Sequence, residues 1–181
     1  CIRDSFYTLW APTWREKGSE WQAFLGDDQS VLAFHSPEEL LAYVSSTHTH
    51  DLVDHPQWEQ FQAQGDDRVV PDEKHYYDII GAPEFLAGRP SHKNVASLSR
   101  VFQIARSLAD VASAEQAQIF FASHSILSNV SRGSEHYAGD NGLSEWSGVG
   151  RVVLANWQDV VASLDQAVRV VDTSDLSLIH I

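Results

Sequence analysis

The fold class this sequence predicts is α+β. It reads as a small N-terminal antiparallel β-meander with a backing helix, followed by a mainly helical half that ends in one long helix. Three observations predict it. Short alternating or β-branched runs divided by turn residues occupy the stretch up to Phe34. Ser36-Pro37-Glu38-Glu39 then marks a helix start. From Ser91 onward apolar residues recur every three or four positions, the period of a buried helix face.

Taken in order, Tyr7-Thr8-Leu9-Trp10 is a first strand that Pro12 stops. Glu20 to Leu25 alternates, with Trp21, Ala23 and Leu25 on one face, and Ser30 to Phe34 forms a further strand. The connections Glu16-Lys17-Gly18-Ser19 and Gly26-Asp27-Asp28-Gln29 have hairpin length. In the first helix Ser36 caps the free amides, Pro37 takes the position where a missing N–H costs nothing, and Glu39 completes a capping box. Leu40, Leu41 and Val44 are its buried side. Thr47 to His55 breaks the period, and His55-Pro56 restarts a helix with Trp58 and Phe61 inward, ended by Gly65-Asp66-Asp67. Tyr76 to Ile80 reads equally as a strand or a helical turn, and Pro83 to Ala87 as a short helix.

The helical half has three main pieces. Val95, Leu98, Val101, Phe102, Ala105, Leu108 and Ala109 share one face. Ser113 is placed to cap a second helix, with Gln116 at the capping-box position and a face of Ala117, Phe120, Phe121, His124, Leu127 and Val130. After a loop from Gly133 to Gly142 comes the long helix, Leu143 to Val171. Its apolar stripe is Leu143, Trp146, Val149, Val153, Trp157, Val160, Leu164 and Val168. Gly148 and Gly150 interrupt it, and their missing side chains are expected to admit a neighbouring backbone. The expected organisation is 1–70 for the meander with its helices and 71–175 for the helical half, together one compact unit.

The ends read as ragged. Cys1-Ile2-Arg3 opens a chain without a single Met, as after N-terminal truncation. Residues 176–181, Leu-Ser-Leu-Ile-His-Ile, read as the in-frame translation of a sequencing adapter and stand outside the fold.

Composition narrows the functional classes. A hydrophobic share of 43% is enough for a core, and no apolar run approaches the roughly 20 residues of a membrane span. The net charge of −13 repels phosphate backbones and anionic lipid, and the three lysines (Lys17, Lys74, Lys93) are scattered. Neither nucleic acid nor membrane is an expected partner. One cysteine excludes an internal disulfide and fits a cytoplasmic setting.

Several stretches together carry a resemblance. They are Leu9-Trp10-Ala11-Pro12, Glu20-Trp21-Gln22-Ala23-Phe24-Leu25-Gly26 and Asp51-Leu52-Val53-Asp54-His55-Pro56-Gln57-Trp58. Pro71-Asp72-Glu73, Tyr77-Asp78-Ile79-Ile80-Gly81-Ala82-Pro83-Glu84 and Trp157-Gln158-Asp159-Val160-Val161 complete the set. From Phe6 to Asp172 the chain resembles an uncharacterised bacterial family, typical of actinobacteria, that genomes label "primosomal protein". The resemblance implies a cytoplasmic module and contact with replication proteins. It brings no catalytic residues. No phosphate-loop string G-x-x-x-x-G-K-[ST] occurs, and the basic groove of a single-strand binder is missing.

Three groups of residues stand out chemically. His48, His50, Asp51, Asp54 and His55 offer N and O ligands for zinc or a similar ion, yet their spacing matches no metal signature. The competing reading is a polar loop whose Asp and His residues cap the next helix. Glu135, His136 and Tyr137 beside Gly139-Asp140-Asn141-Gly142 form a possible ligand loop or a solvated interhelical turn. Trp14, flanked by Arg15, Glu16 and Lys17 at a hairpin tip, is the tryptophan expected to stand exposed, and tryptophan is a favoured binding anchor. His124 reads as a buried histidine with one hydrogen bond.

The sequence therefore favours a non-catalytic cytoplasmic module that contacts a protein partner, linked by resemblance to replication. The alternative is a metal-dependent enzyme using His48, His50 and His55. Neither cofactor nor oligomeric state is legible.

Overall fold

In the computed structural model the described residues are 5–16, 18–27, 30–64 and 71–172. They form two units. One comprises Cys1–Tyr76 with Ala167–Ile181, and the other Tyr77–Gln166.

The first unit is built on two small sheets. Strands β1 (Trp10–Glu16) and β2 (Ser19–Phe24) pair antiparallel, with Trp10 opposite Phe24 and Trp14 opposite Trp21. Pro12 does not stop β1. The strand runs through it, and the register instead slips between Ala11 and Trp14, the irregularity a residue without an N–H imposes. The second sheet joins β3 (Gly26–Asp27), β4 (Ser30–Ala33) and β5 (Val168–Val170) in that order. β3 and β4 are antiparallel, and the Asp27 carboxylate accepts the Ser30 N–H at 2.9 Å to close the turn. Gly26 is required there, because a Cβ would fall 2.8 Å from the Ser30 carbonyl oxygen.

β5 is the piece the helical periodicity hid. It lies parallel to β4, Val31 beside Val168 and Ala33 beside Val170, and Arg169 forms an ion pair with Asp27. The meander is thus antiparallel except for a strand supplied from the far end of the chain.

Helix α1 (Pro37–Ser46) starts as its sequence dictates. Ser36 Oγ accepts the Glu39 N–H at 3.1 Å. The Glu39 carboxylate reaches one residue farther back than a capping box requires and accepts the His35 N–H, also at 3.1 Å. After a short 3₁₀ turn at Asp51–Asp54 comes α2 (Trp58–Ala63). Leu25, Leu32, Phe34, Leu40, Val44, Leu52 and Trp58 make the core of this unit, with Phe61 packed against it.

The second unit is helical: α3 (Ala82–Ala87), α4 (His92–Val111), α5 (Glu115–Ser123) and α6 (Gly139–Ala167). Ser91 caps α4 by accepting the Asn94 N–H. Ser113 does not cap α5. It adopts φ +53° in the turn, and Ala114 stands at the cap position without a side-chain bond. The face from Ala117 to Val130 is not one helix either, since α5 ends at Ser123 and Ser125–Arg132 continues as 3₁₀ turns.

α6 buries Trp146, Val149, Val153, Trp157, Val160 and Leu164. Phe102, Phe120 and Phe121 surround the Trp157 ring with centroids 5.7 to 6.4 Å away. Both indole N–H groups are satisfied, Trp157 by the Ile79 carbonyl at 2.8 Å and Trp146 by that of Gly88 at 3.0 Å. Leu143, expected on the buried stripe, is exposed, and Val168 belongs to β5. Gly148 admits a side chain rather than a backbone, a Cβ there lying 3.0 Å from Ile126 Cδ1. Gly150 faces open space. Among the described residues no helix is long and apolar enough to cross a membrane.

Candidate functional site

The Gly133–Gly142 stretch, expected as a loop, holds defined turns set by its own sequence. Gly133 at φ +88° and Gly139 at φ +71° take left-handed turns that other residues adopt at a cost. Between them Ser134–Tyr137 is a 3₁₀ turn. Gly142 lies against it so closely that a Cβ would sit 2.2 Å from the Tyr137 carbonyl carbon. This contact sets the first turn of α6 onto the preceding segment.

Three side chains meet on that platform. The Glu145 carboxylate accepts from His136 Nε2–H at 3.0 Å and from Asn129 Nδ2–H at 2.6 Å, both at the same oxygen. These two bonds hold its pKa below the usual carboxylate range, and the charge of Arg132 adds to the effect. Beside them Tyr137 is fully buried, its ring 5.0 Å from that of Trp146. Its hydroxyl is buried without a hydrogen-bond partner among the described residues. Burial, reinforced by the charge on Glu145, pushes its pKa up to about 12. Tyr137 therefore stays neutral at physiological pH and serves as an aromatic plug. Of the three residues singled out in sequence, His136 joins this network, Tyr137 packs its ring edge-on to that of His136, and Glu135 is exposed. Glu145 and Asn129 were missed. Their separation of sixteen positions shows no periodic signal, and only the fold brings them together.

The histidine cluster of the first unit is dispersed by its local geometry. His50 is buried, its ring edge-on to Trp58 at 4.6 Å and 6.4 Å from Tyr43. Neither of its ring nitrogens has a hydrogen-bond partner among the described residues. Burial lowers its pKa, and the charge of His48 lowers it further. His48 is exposed. His55 Nδ1 accepts the Gln57 N–H at 3.1 Å, a cap at the start of the next turn. The Asp51 carboxylate lies against Gly26, where a Cβ would come 3.1 Å from it, and Asp54 is exposed at the end of the 3₁₀ turn. Among the described residues no three His, Cys, Asp or Glu side chains are grouped to hold a metal ion.

Two further residues complete the placement. His124 is half-buried just past the end of α5 rather than buried on its face; its Nδ1–H donates to the Phe120 carbonyl at 2.8 Å, and its ring packs on Phe120. Trp14 lies in β1 opposite Trp21, but its side chain falls outside the described part of the structure.

Comparison with known proteins points one way. The family model described as the SatS C-terminal domain matches residues 2–165. A crystal structure of a SatS C-terminal domain in complex with bromine superposes with a TM-score of 0.58 at 15% identity, covering 92% of this chain and 87% of that one. At that identity the likeness concerns the fold. No curated protein matches the chain. The matches lend nothing to the primosomal label or to an actinobacterial source.

Proposed function

As this chain belongs to the SatS C-terminal domain family, a name that assigns no reaction, we propose that it is a non-catalytic module that binds other proteins in the cytoplasm. One observation carries the reading. Among the described residues, several of the side chains a reaction centre would draw on are committed to structural contacts. His136 is spent on Glu145, His124 on the Phe120 carbonyl, His55 on the Gln57 amide, and His50 and Tyr137 are enclosed by rings. A single cysteine is consistent with a reducing compartment.

Trp14 is the contact residue in this reading, as a large amphipathic ring in a strand paired on one side by β2. The test is Trp14→Ala in the full chain, with circular dichroism as the check on folding. Captured proteins, fixed by cross-linking before lysis, are expected to lose at least one member. An unchanged capture profile removes Trp14 from the proposal. The finer link to replication rests on the sequence resemblance alone and requires a replication protein among those captured. Elemental analysis separates the alternative: stoichiometric metal in purified protein, lost in His50→Ala, would favour a metal-dependent enzyme built on His48, His50 and His55.

A further inference from the structure

Helix α6 carries a second apolar seam, about a quarter turn around the axis from the buried one. Leu143, Ser147, Gly150, Leu154 and Val161 recur at spacings of four, three, four and seven, the pattern with which one helix receives another. Leu143 is 44% and Leu154 70% exposed, and Val161 is half-buried. The middle of the seam is low. A Cβ at Gly150 would meet nothing within 4 Å, and the Ser147 hydroxyl donates back to the Leu143 carbonyl at 3.0 Å. Ser147 therefore brings no unmet donor to the surface, and a neighbouring backbone has room to approach. Asp140 and Asp165, both exposed, stand at the two ends of the stripe.

We infer that this seam is the docking site for an amphipathic helix of a partner protein, with leucine-type knobs facing α6 and lysine or arginine at its ends. The charge selects this occupant. The seam has acidic ends in a chain of net charge −13, so cationic flanks are attracted and anionic ones repelled. A second copy of the chain fits poorly. Parallel copies would set Asp140 against Asp140 and Asp165 against Asp165, and would join two strongly negative molecules. The inference rests on the protein-binding reading above and supplies the chemistry of the partner.

The probe is a fluorescent peptide of about 20 residues, the length that runs from Leu143 to Val161 and a little beyond. It carries leucine at heptad positions and lysine elsewhere. Controls are a peptide with glutamate in place of lysine and a scrambled leucine–lysine peptide. Fluorescence anisotropy against the full chain is expected to show saturable binding of the first peptide only. The exposed double variant Leu143→Ser/Leu154→Ser, folded by circular dichroism, should weaken it by about tenfold or more. Equal binding of the scrambled peptide, unchanged affinity in the double variant, or no binding to the parent overturns the inference. So does a parent dimer in ultracentrifugation that the double variant abolishes, because a second copy would then own the seam. If the peptide fails while Trp14→Ala still changes capture, only the seam is refuted; if the peptide fails and the chain captures no protein at all, the protein-binding reading falls as well.

Discussion

At the scale of single residues, two positions decide local structure in ways open to measurement. Gly142 is one, because its missing side chain lets α6 begin against the backbone of Tyr137. The obstructing atoms are main-chain and do not swing away. Gly142→Ala should therefore destabilise the second unit by about 1–3 kcal/mol or more, despite the better helix propensity of alanine. The urea midpoint followed at 222 nm reads this, and a parent-like midpoint would contradict the contact. His50 is the other, and its effect is on pH dependence. Its folded pKa lies below the ordinary value, chiefly through burial, so the unfolded chain binds the extra proton. The contribution to stability is fully present above the unfolded value of about 6.5 and is lost as pH falls from there through the folded one. His50→Phe keeps the packing on Trp58 and removes two buried ring nitrogens that have no hydrogen-bond partner among the described residues. At about pH 7.5 it should lie within about 1 kcal/mol of the parent, while its melting temperature declines less towards pH 5. Identical acid-side declines in the two proteins would acquit His50. The sequence disclosed the residue types here, three histidines and two carboxylates in one run, but not that aromatic rings would claim the central histidine.

At the scale of elements, legibility followed whether the signal was local. The start of α1 was readable because Ser36, Pro37 and Glu39 act within one turn, and the structure departs from expectation only in which amide Glu39 reaches. The end of α6 was not. Val168 continues the three-and-four spacing of Trp157, Val160 and Leu164, and periodicity does not see the hydrogen bonds that Val168–Val170 make with β4, a partner far away in sequence. The run Val168-Arg169-Val170-Val171 does hold a β-branched signal, one that a helical period masks. The two helix glycines likewise show what spacing conceals. Gly148 meets a side chain and Gly150 meets nothing, so only the first has a packing reason to lack a Cβ. Gly150→Ala is thus expected to raise stability by about 0.5–1 kcal/mol, read from the thermal midpoint. A loss would mean that the face is covered.

At the scale of the whole molecule, the chain returns to the unit it began. Residues 168–170 complete the β3-β4-β5 sheet, the Val171 N–H donates to the Ala33 carbonyl at 2.8 Å, and Val171 packs on the core of Leu25, Leu32 and Phe34. The first unit is therefore assembled from two chain segments, and the helical unit between them is continuous. A sheet that draws one strand from the end of the chain closes only after the intervening segment is made, a long-range pairing with a high entropic cost. Ending the chain after Ala167 should remove a strand and an ion pair from the first unit while sparing every strand-free contact of the second. Hydrogen exchange separates the two. Amides of Leu25 and Leu32 should lose protection by about tenfold or more, and those of α4 should stay near the parent level. Equal loss in both units would show that they unfold as one. The Leu32 N–H donates to the Leu25 carbonyl at 2.8 Å, so unchanged protection there would show that β4 is held without β5, and β5 would then be an ornament of the sheet rather than the strand that closes it.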